Sequence, residues 1–140
     1  MLAKDYPYTG EDEICKYDES KAVGGVLGSF NITELDEFSL KQAIAKVGPV
    51  AVAYDCDDEF EDYESGVYSS KTCQSKKTDV NHAVQAVGYG TENGKDYWLC
   101  KNSWSEEWGD KGYFKIERGV NMCGIAVCNS FPVGVHTYSH

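Results

Sequence analysis

The sequence predicts an α+β domain in which one main helix accompanies an antiparallel, barrel-like sheet. Three observations predict it. One stretch, Leu40 to Val47, carries a 3.6-residue apolar period; several short apolar or alternating runs surround it; and turn signals, Asn93-Gly94 foremost, join neighbouring runs as hairpins.

In chain order, residues 1–22 hold Tyr6-Pro7-Tyr8 and polar turn residues with little periodicity. The stretch GGVLGSFNI alternates enough to predict a strand from Val26 to about Ile32. Leu40, Ala43, Ile44 and Val47 then define one buried helical face, with Thr33 or Asp36 to cap its start. Gly48-Pro49 ends that helix, because proline cannot donate to the helix ladder and restricts the residue before it. PVAVAY reads as a core strand, DEFEDY as a short acidic helix and GVYSS as another strand. The acidic run from Asp55 to Glu64 reads most simply as a solvated loop or helix face. GYFKIE alternates as a strand, NMCGIAVCNSF supplies the last one, and HTYSH reads as a frayed tail.

Between those strands lies NHAVQAVGYG followed by DYWLCKNSWSEEWG. If the two apolar runs pair antiparallel across Asn93-Gly94, the start of one is brought beside the end of the other, and His82 and Asn102 become neighbours. Such a pair is a base and its orienter: an imidazole that accepts a proton near neutral pH and an amide that fixes its ring and tautomer. Trp104 would shield their hydrogen bond from water. Each residue also has a structural reading, a histidine opening a strand and an aromatic plug closing one.

With 13 basic against 23 acidic side chains the net charge is −10, and Arg118 is the one arginine. That balance argues against electrostatic binding of nucleic acid or an anionic membrane surface. No stretch is long or apolar enough to span a bilayer, and no charged-then-apolar leader follows Met1. The six cysteines, Cys15, Cys56, Cys73, Cys100, Cys123 and Cys128, form neither the paired short spacings of a zinc site nor a redox CxxC. Cys100, inside an apolar strand, reads as a small buried side chain. Asn31-Ile32-Thr33 is a sequon for N-glycosylation, usable only in a secreted chain.

Taken together, NHAVQAVGYG, YWLCKNSWSEEWGDKGYFKI and CGIAVCNSFP resemble the C-terminal half of papain-like cysteine peptidases, the cathepsin L group in particular. The resemblance runs from YPYTG through VGPVAVAYD to FPVGV and covers almost all of the chain. It implies a crossover segment over 1–22, the family's right-hand β-barrel domain over 23–135 and a tail over 136–140. It implies peptide-bond hydrolysis through a Cys-His-Asn site with His82 as base, Asn102 as its orienting partner, and Trp104 and Trp108 as flanking indoles. Ala53, Val80, Asn81, Ala83 and Cys128 match the right-domain share of substrate binding, four of them walling a small apolar pocket suited to Leu, Phe or Val. Cys73 pairs with Cys123 by the same resemblance, and closing a loop of about fifty residues is worth roughly 4 kcal/mol in the chain-entropy model. That bond implies an oxidising compartment, lysosomal or extracellular. Cys15 resembles a cysteine whose partner lies further upstream. No cofactor and no metal are implied. The implied partners are a peptide or protein substrate, the family's N-terminal domain, and an inhibitor of cystatin or propeptide type.

Two departures from the family stand out. The nucleophile signature, CGSCW or CGACW, and the upstream glutamine that serves the oxyanion are absent. Because the family histidine lies about 130 to 150 residues after the cysteine, the nucleophile is expected upstream of residue 1, and this chain alone is expected to be inactive. Ser105 stands where the family usually has glycine. Two functions therefore remain open: the C-terminal part of a cysteine endopeptidase, and a truncated relative that binds peptides, inhibitors or a partner without catalysis.

Overall fold

The apolar period around Leu40 forms helix α1, Glu37–Lys46, in a computed structural model that describes residues 1–138. Asp36 caps it, its Oδ1 accepting the Ser39 N–H at 2.8 Å, whereas Thr33 contributes only its carbonyl, to the Asp36 N–H. Leu40 and Ala43 are buried as the period requires, but Val47, expected on the same face, is 59% exposed. The helix ends at Lys46, and Gly48 follows at φ 133°, so the chain turns away before the period reaches Val47.

The strands are β1 (Gly24–Gly25), β2 (Gly28–Asn31), β3 (Val50–Tyr54), β4 (Val67–Tyr68), β5 (His82–Glu92), β6 (Lys95–Lys101), β7 (Tyr113–Glu117), β8 (Asn129–Val133) and β9 (His136–Thr137), with a short helix α2 at Asp58–Glu61. Seven of them hydrogen-bond in the order β2-β8-β3-β5-β6-β7-β4. Strand β3 lies antiparallel between β5 and β8, and β5, β6 and β7 continue as hairpin-type neighbours. The β4–β7 pairing is parallel, with Val67 opposite Lys115, a departure from the all-antiparallel expectation. The chain must run through β5 and β6 between these two strands, and no tight turn then dictates their direction. Asn93 and Gly94 close the β5–β6 hairpin at φ 50° and 79°, the left-handed pair a two-residue hairpin turn requires.

Alternation along β3 buries Val50, Val52 and Tyr54 against Trp98 and Cys100 of β6 and Phe114 and Ile116 of β7, with Leu40 and Ile125 closing the core. Two other expectations are corrected. The strand placed from Val26 begins at Gly28, and the strand expected through NMCGIAVCNSF begins only at Asn129. Asn121, Cys123 and Gly124 all have left-handed φ (49°, 51°, 78°), so Met122–Gly124 form a tight 3-10 turn and Ile125 to Val127 pack in the core without strand pairing.

Two compact units emerge, Asn31–Phe131 and a smaller one made of Met1–Phe30 with the chain from Pro132 onward. Within the smaller, β1 and β9 pair antiparallel, so His136 and Thr137, read from the sequence as the start of a tail, are in a strand; Ser139 and His140 of that tail lie outside the described residues. A Cβ at Gly24 would come within 2.6 Å of the His136 carbonyl oxygen, which makes that close pairing specific to glycine. Among the described residues no helix is long and apolar enough to cross a membrane.

Candidate active site

His82 is the first residue of β5 and pairs with Tyr54, the last of β3. Directly opposed residues share a face, so the imidazole projects on the core side of the sheet at its rim and is only half-buried. Asn102 follows the last residue of β6, Lys101, which pairs with Gln85. The hairpin thereby closes a separation of twenty positions, and His82 Nε2 lies 2.9 Å from Asn102 Oδ1.

The same oxygen accepts the backbone N–H of Ser103 at 2.8 Å. A backbone N–H can only donate, so the atom there is the amide oxygen, and the ring nitrogen facing it must carry its proton. The neutral imidazole is thus held in the Nε2–H tautomer with the Nδ1 lone pair left over. Asn102 is itself fixed by its backbone, whose N–H donates to the Gly112 carbonyl at 2.9 Å, and it is 8% exposed.

Aromatic rings enclose the imidazole. Trp104 lies against it at 5.0 Å between centroids and 33° between planes, and the Tyr54 ring meets it edge-on at 5.6 Å. Trp108 packs edge-on against Trp104 at 4.9 Å and is anchored by its Nε1–H, which donates to the Glu61 carbonyl at 2.8 Å. Behind both indoles stands the fully buried Phe60 of α2. Trp104 thus covers one face of the His82 imidazole.

Ala53 and Ala83 are direct partners across β3 and β5, on the outward face. The register that sets Val52 against Asn129 leads by one more residue to Cys128 beside Ala53. Cys128 is exposed and lines a cavity of about 170 Å³ with Asn31, Ile32 and Lys77. Val80 is half-buried, whereas the Asn81 side chain is committed to the protein, Oδ1 accepting the Cys56 N–H at 2.8 Å and Nδ2 donating to Asp55 at 3.0 Å. Asn31 is exposed, and a disulfide joins Cys73 to Cys123. Cys100 is fully buried, and burial pushes its thiol well above the usual range. Ser105 adopts φ 78°, a left-handed conformation that explains why glycine suits the position. Among the described residues none of the four free cysteines hydrogen-bonds to His82, and no cluster of three metal-ligating side chains forms.

Sequence reasoning missed the acidic anchors. The run from Asp55 to Glu64 is not simply solvated: Asp57 accepts the hydroxyls of Tyr68, Ser70 and Thr72 at 2.6–2.8 Å and caps α2 through the Phe60 N–H. Burial raises its pKa, but those hydrogen bonds together outweigh burial and hold the carboxyl below the usual carboxylate value. The signal was an Asp immediately before DEFE, an N-cap spacing hidden by the surrounding carboxylates.

The family model described as papain family cysteine protease matches residues 1–133. A pro-cathepsin H of Medicago truncatula is 56% identical over 91% of the chain, which spans 37% of that relative. The thiol protease aleurain of Arabidopsis thaliana is 55% identical over 93% of the chain and 36% of its own length. Among solved structures, the digestive procathepsin L2 proteinase from Tenebrio molitor larval midgut superposes with a TM-score of 0.87 at 47% identity, covering 94% of this chain and 41% of that one.

Proposed function

The chain belongs to the papain family of cysteine proteases, and from that premise we propose that it serves peptide-bond hydrolysis by supplying the base and the orienter of a Cys-His-Asn site. The observation that carries this reading is the 2.9 Å contact of His82 Nε2 with an oxygen whose acceptor identity the Ser103 N–H fixes. With Nε2 bound to Asn102, Nδ1 is the nitrogen that exchanges a proton with a nucleophilic thiol. A thiolate facing the resulting imidazolium attacks the peptide carbonyl, the imidazolium protonates the leaving amine, and water releases the acyl group. Trp104 and Trp108 keep water off the orienting bond.

The nucleophile and the oxyanion glutamine are contributed from outside these residues, so the chain alone is inactive. Ala53, Val80, Ala83 and Cys128 form one wall of the pocket for the second side chain on the amino side of the scissile bond. Their small size favours Leu, Phe or Val there. The Cys73–Cys123 bond and the exposed sequon at Asn31 support passage through the secretory pathway to a lysosome-like or extracellular destination. A glycan on Asn31 is expected as extra mass removable by a glycosidase.

The test joins this chain to the upstream part of a papain-family peptidase bearing the family's nucleophilic cysteine and follows cleavage of a Phe-Arg amide. Expected are cleavage by the joined protein, loss in His82→Ala and block by a thiol alkylator. Inactivity of the joined, folded protein would sink the peptidase reading. Cleavage by the chain alone, dependent on His82 and thiol-sensitive, would sink the assignment of the nucleophile. A second reading, a non-catalytic binding module, is favoured by the smaller unit's apolar exposure, where Tyr8 is 97%, Ile14 89% and Leu27 84% accessible. Inactivity of the joined protein together with tight binding of peptides or inhibitors is its expected signature.

A further inference from the structure

We propose that Asp55 is a positioning residue for the site, a clamp that closes the loop 74–81 at both ends and thereby fixes where the following residue, His82, stands. The proposal rests on the reading of His82 as the catalytic base.

The geometry converges on one carboxylate. Asp55 Oδ2 accepts the Gln74 N–H at 2.6 Å and Oδ1 accepts the Asn81 side-chain amide at 3.0 Å. Asp55's own N–H donates to the Cys123 carbonyl at 2.7 Å, and Cys123 is bonded to Cys73, the residue before Gln74. Asn81 returns the connection, its Oδ1 accepting the Cys56 N–H at 2.8 Å and its backbone N–H reaching the Tyr54 carbonyl at 3.1 Å. The clamp therefore springs from the residue after Tyr54, which pairs with His82 and borders its ring.

Position explains why such a clamp matters. His82 is the terminal residue of β5, and strand ends open more readily than strand centres. The loop before it contains no strand or helix, so without an anchor at Asn81 the opening would spread into the site. Asp55 supplies that anchor with a charged acceptor, stronger than a neutral one, and ties it to the disulfide end of the same loop. Asn102 sets the tautomer of the imidazole; Asp55 sets the backbone from which it projects.

The test reads the ring itself, by nitrogen-15 magnetic resonance of the imidazole in this chain and in its Asp55→Ala and Asp55→Asn variants. In Asp55→Ala, solvent exchange of the His82 Nε2 proton is expected to rise about tenfold, the factor carried by the lost hydrogen bond from Asn81, next to His82, to a charged acceptor. Asp55→Asn, which keeps the shape and one oxygen acceptor, is expected to fall between, while backbone amides of β6 and β7 stay as in the parent. Faster exchange confined to the amides of 74–81 with an unchanged His82 proton would overturn the proposal and leave Asp55 a loop residue. Should Asp55→Ala not fold, Asp55→Asn decides alone, and a parent-like His82 proton in it overturns the proposal too. Failure of the peptidase reading shows separately, as an inactive joined protein, and leaves the ring measurement standing.

Discussion

Asn102 serves two donors with one oxygen, and that economy makes it sensitive to truncation. In Asn102→Ala the Ser103 N–H and the His82 Nε2–H both lose their acceptor, so the imidazole should populate both tautomers, visible in its nitrogen-15 shifts. In the joined protein the same change should lower kcat/KM by about tenfold to a hundredfold, and an undiminished kcat/KM would show that the amide orients nothing. Ser105 offers a contrasting case, where a residue departs from what its conformation favours. At φ 78° an L side chain costs of order 1 kcal/mol, partly offset because glycine loses more freedom on folding. Ser105→Gly should therefore stabilise the chain by about 0.5–1 kcal/mol in urea unfolding, and a lower midpoint would refute the strain. The pair His82–Asn102 was legible in the sequence because Asn93-Gly94 names its own turn and the turn fixes the register. Asp55 was not, because a carboxylate among carboxylates looks solvated until its hydrogen-bond donors are seen.

Helix α1 is joined to the sheet by a partly buried polar junction. Glu37, its first residue, accepts the Trp98 Nε1–H at 2.9 Å and the backbone N–H groups of Gly119 and Asn121 at 2.7 Å each. Trp98 is wholly buried, so Glu37→Ala leaves an indole N–H without an acceptor in the core and should cost about 2–3 kcal/mol. The fluorescence of the indoles reports the unfolding directly, and a loss under about 0.5 kcal/mol would mean the junction is slack. Helix α2 and the segment after β4 depend likewise on Asp57, and its lowered pKa gives that dependence a pH signature. A carboxylate depressed in the folded state adds stability in full above its unfolded value, near pH 4, and loses it as the pH falls through the lower folded value. Asp57→Asn should accordingly be less stable than the parent at pH 6, with the gap closing below about pH 4. A gap constant with pH would assign the loss to shape alone.

Across the molecule, the elements legible in the sequence are those whose pattern is local: α1 by its period, β3 and β7 by alternation, β5 and β6 by the turn between them. What escaped depends on distant partners. The parallel direction of β4 is set by where β7 arrives, and β9 is a two-residue strand that exists only because β1 offers it a glycine backbone. The 3-10 turn at Met122–Gly124 escaped because its residues at φ near 50° include a cysteine, which no local rule places there. The Cys73–Cys123 bond closes a separation of 50 residues inside Asn31–Phe131, and the loop it anchors is held as well by Asp55 and by the Asn121 side chain, which donates to the Ser75 carbonyl at 3.1 Å. Loop-closure entropy assigns the bond roughly 4 kcal/mol through the unfolded chain, whatever the folded contacts contribute. The paired variant Cys73→Ser with Cys123→Ser, compared with the parent in urea, should show most of that loss with its folded contacts retained. A loss below about 1 kcal/mol would mean the unfolded chain is already compact around this loop, and that the hydrogen bonds of Asp55 and Asn121 hold it without the covalent link.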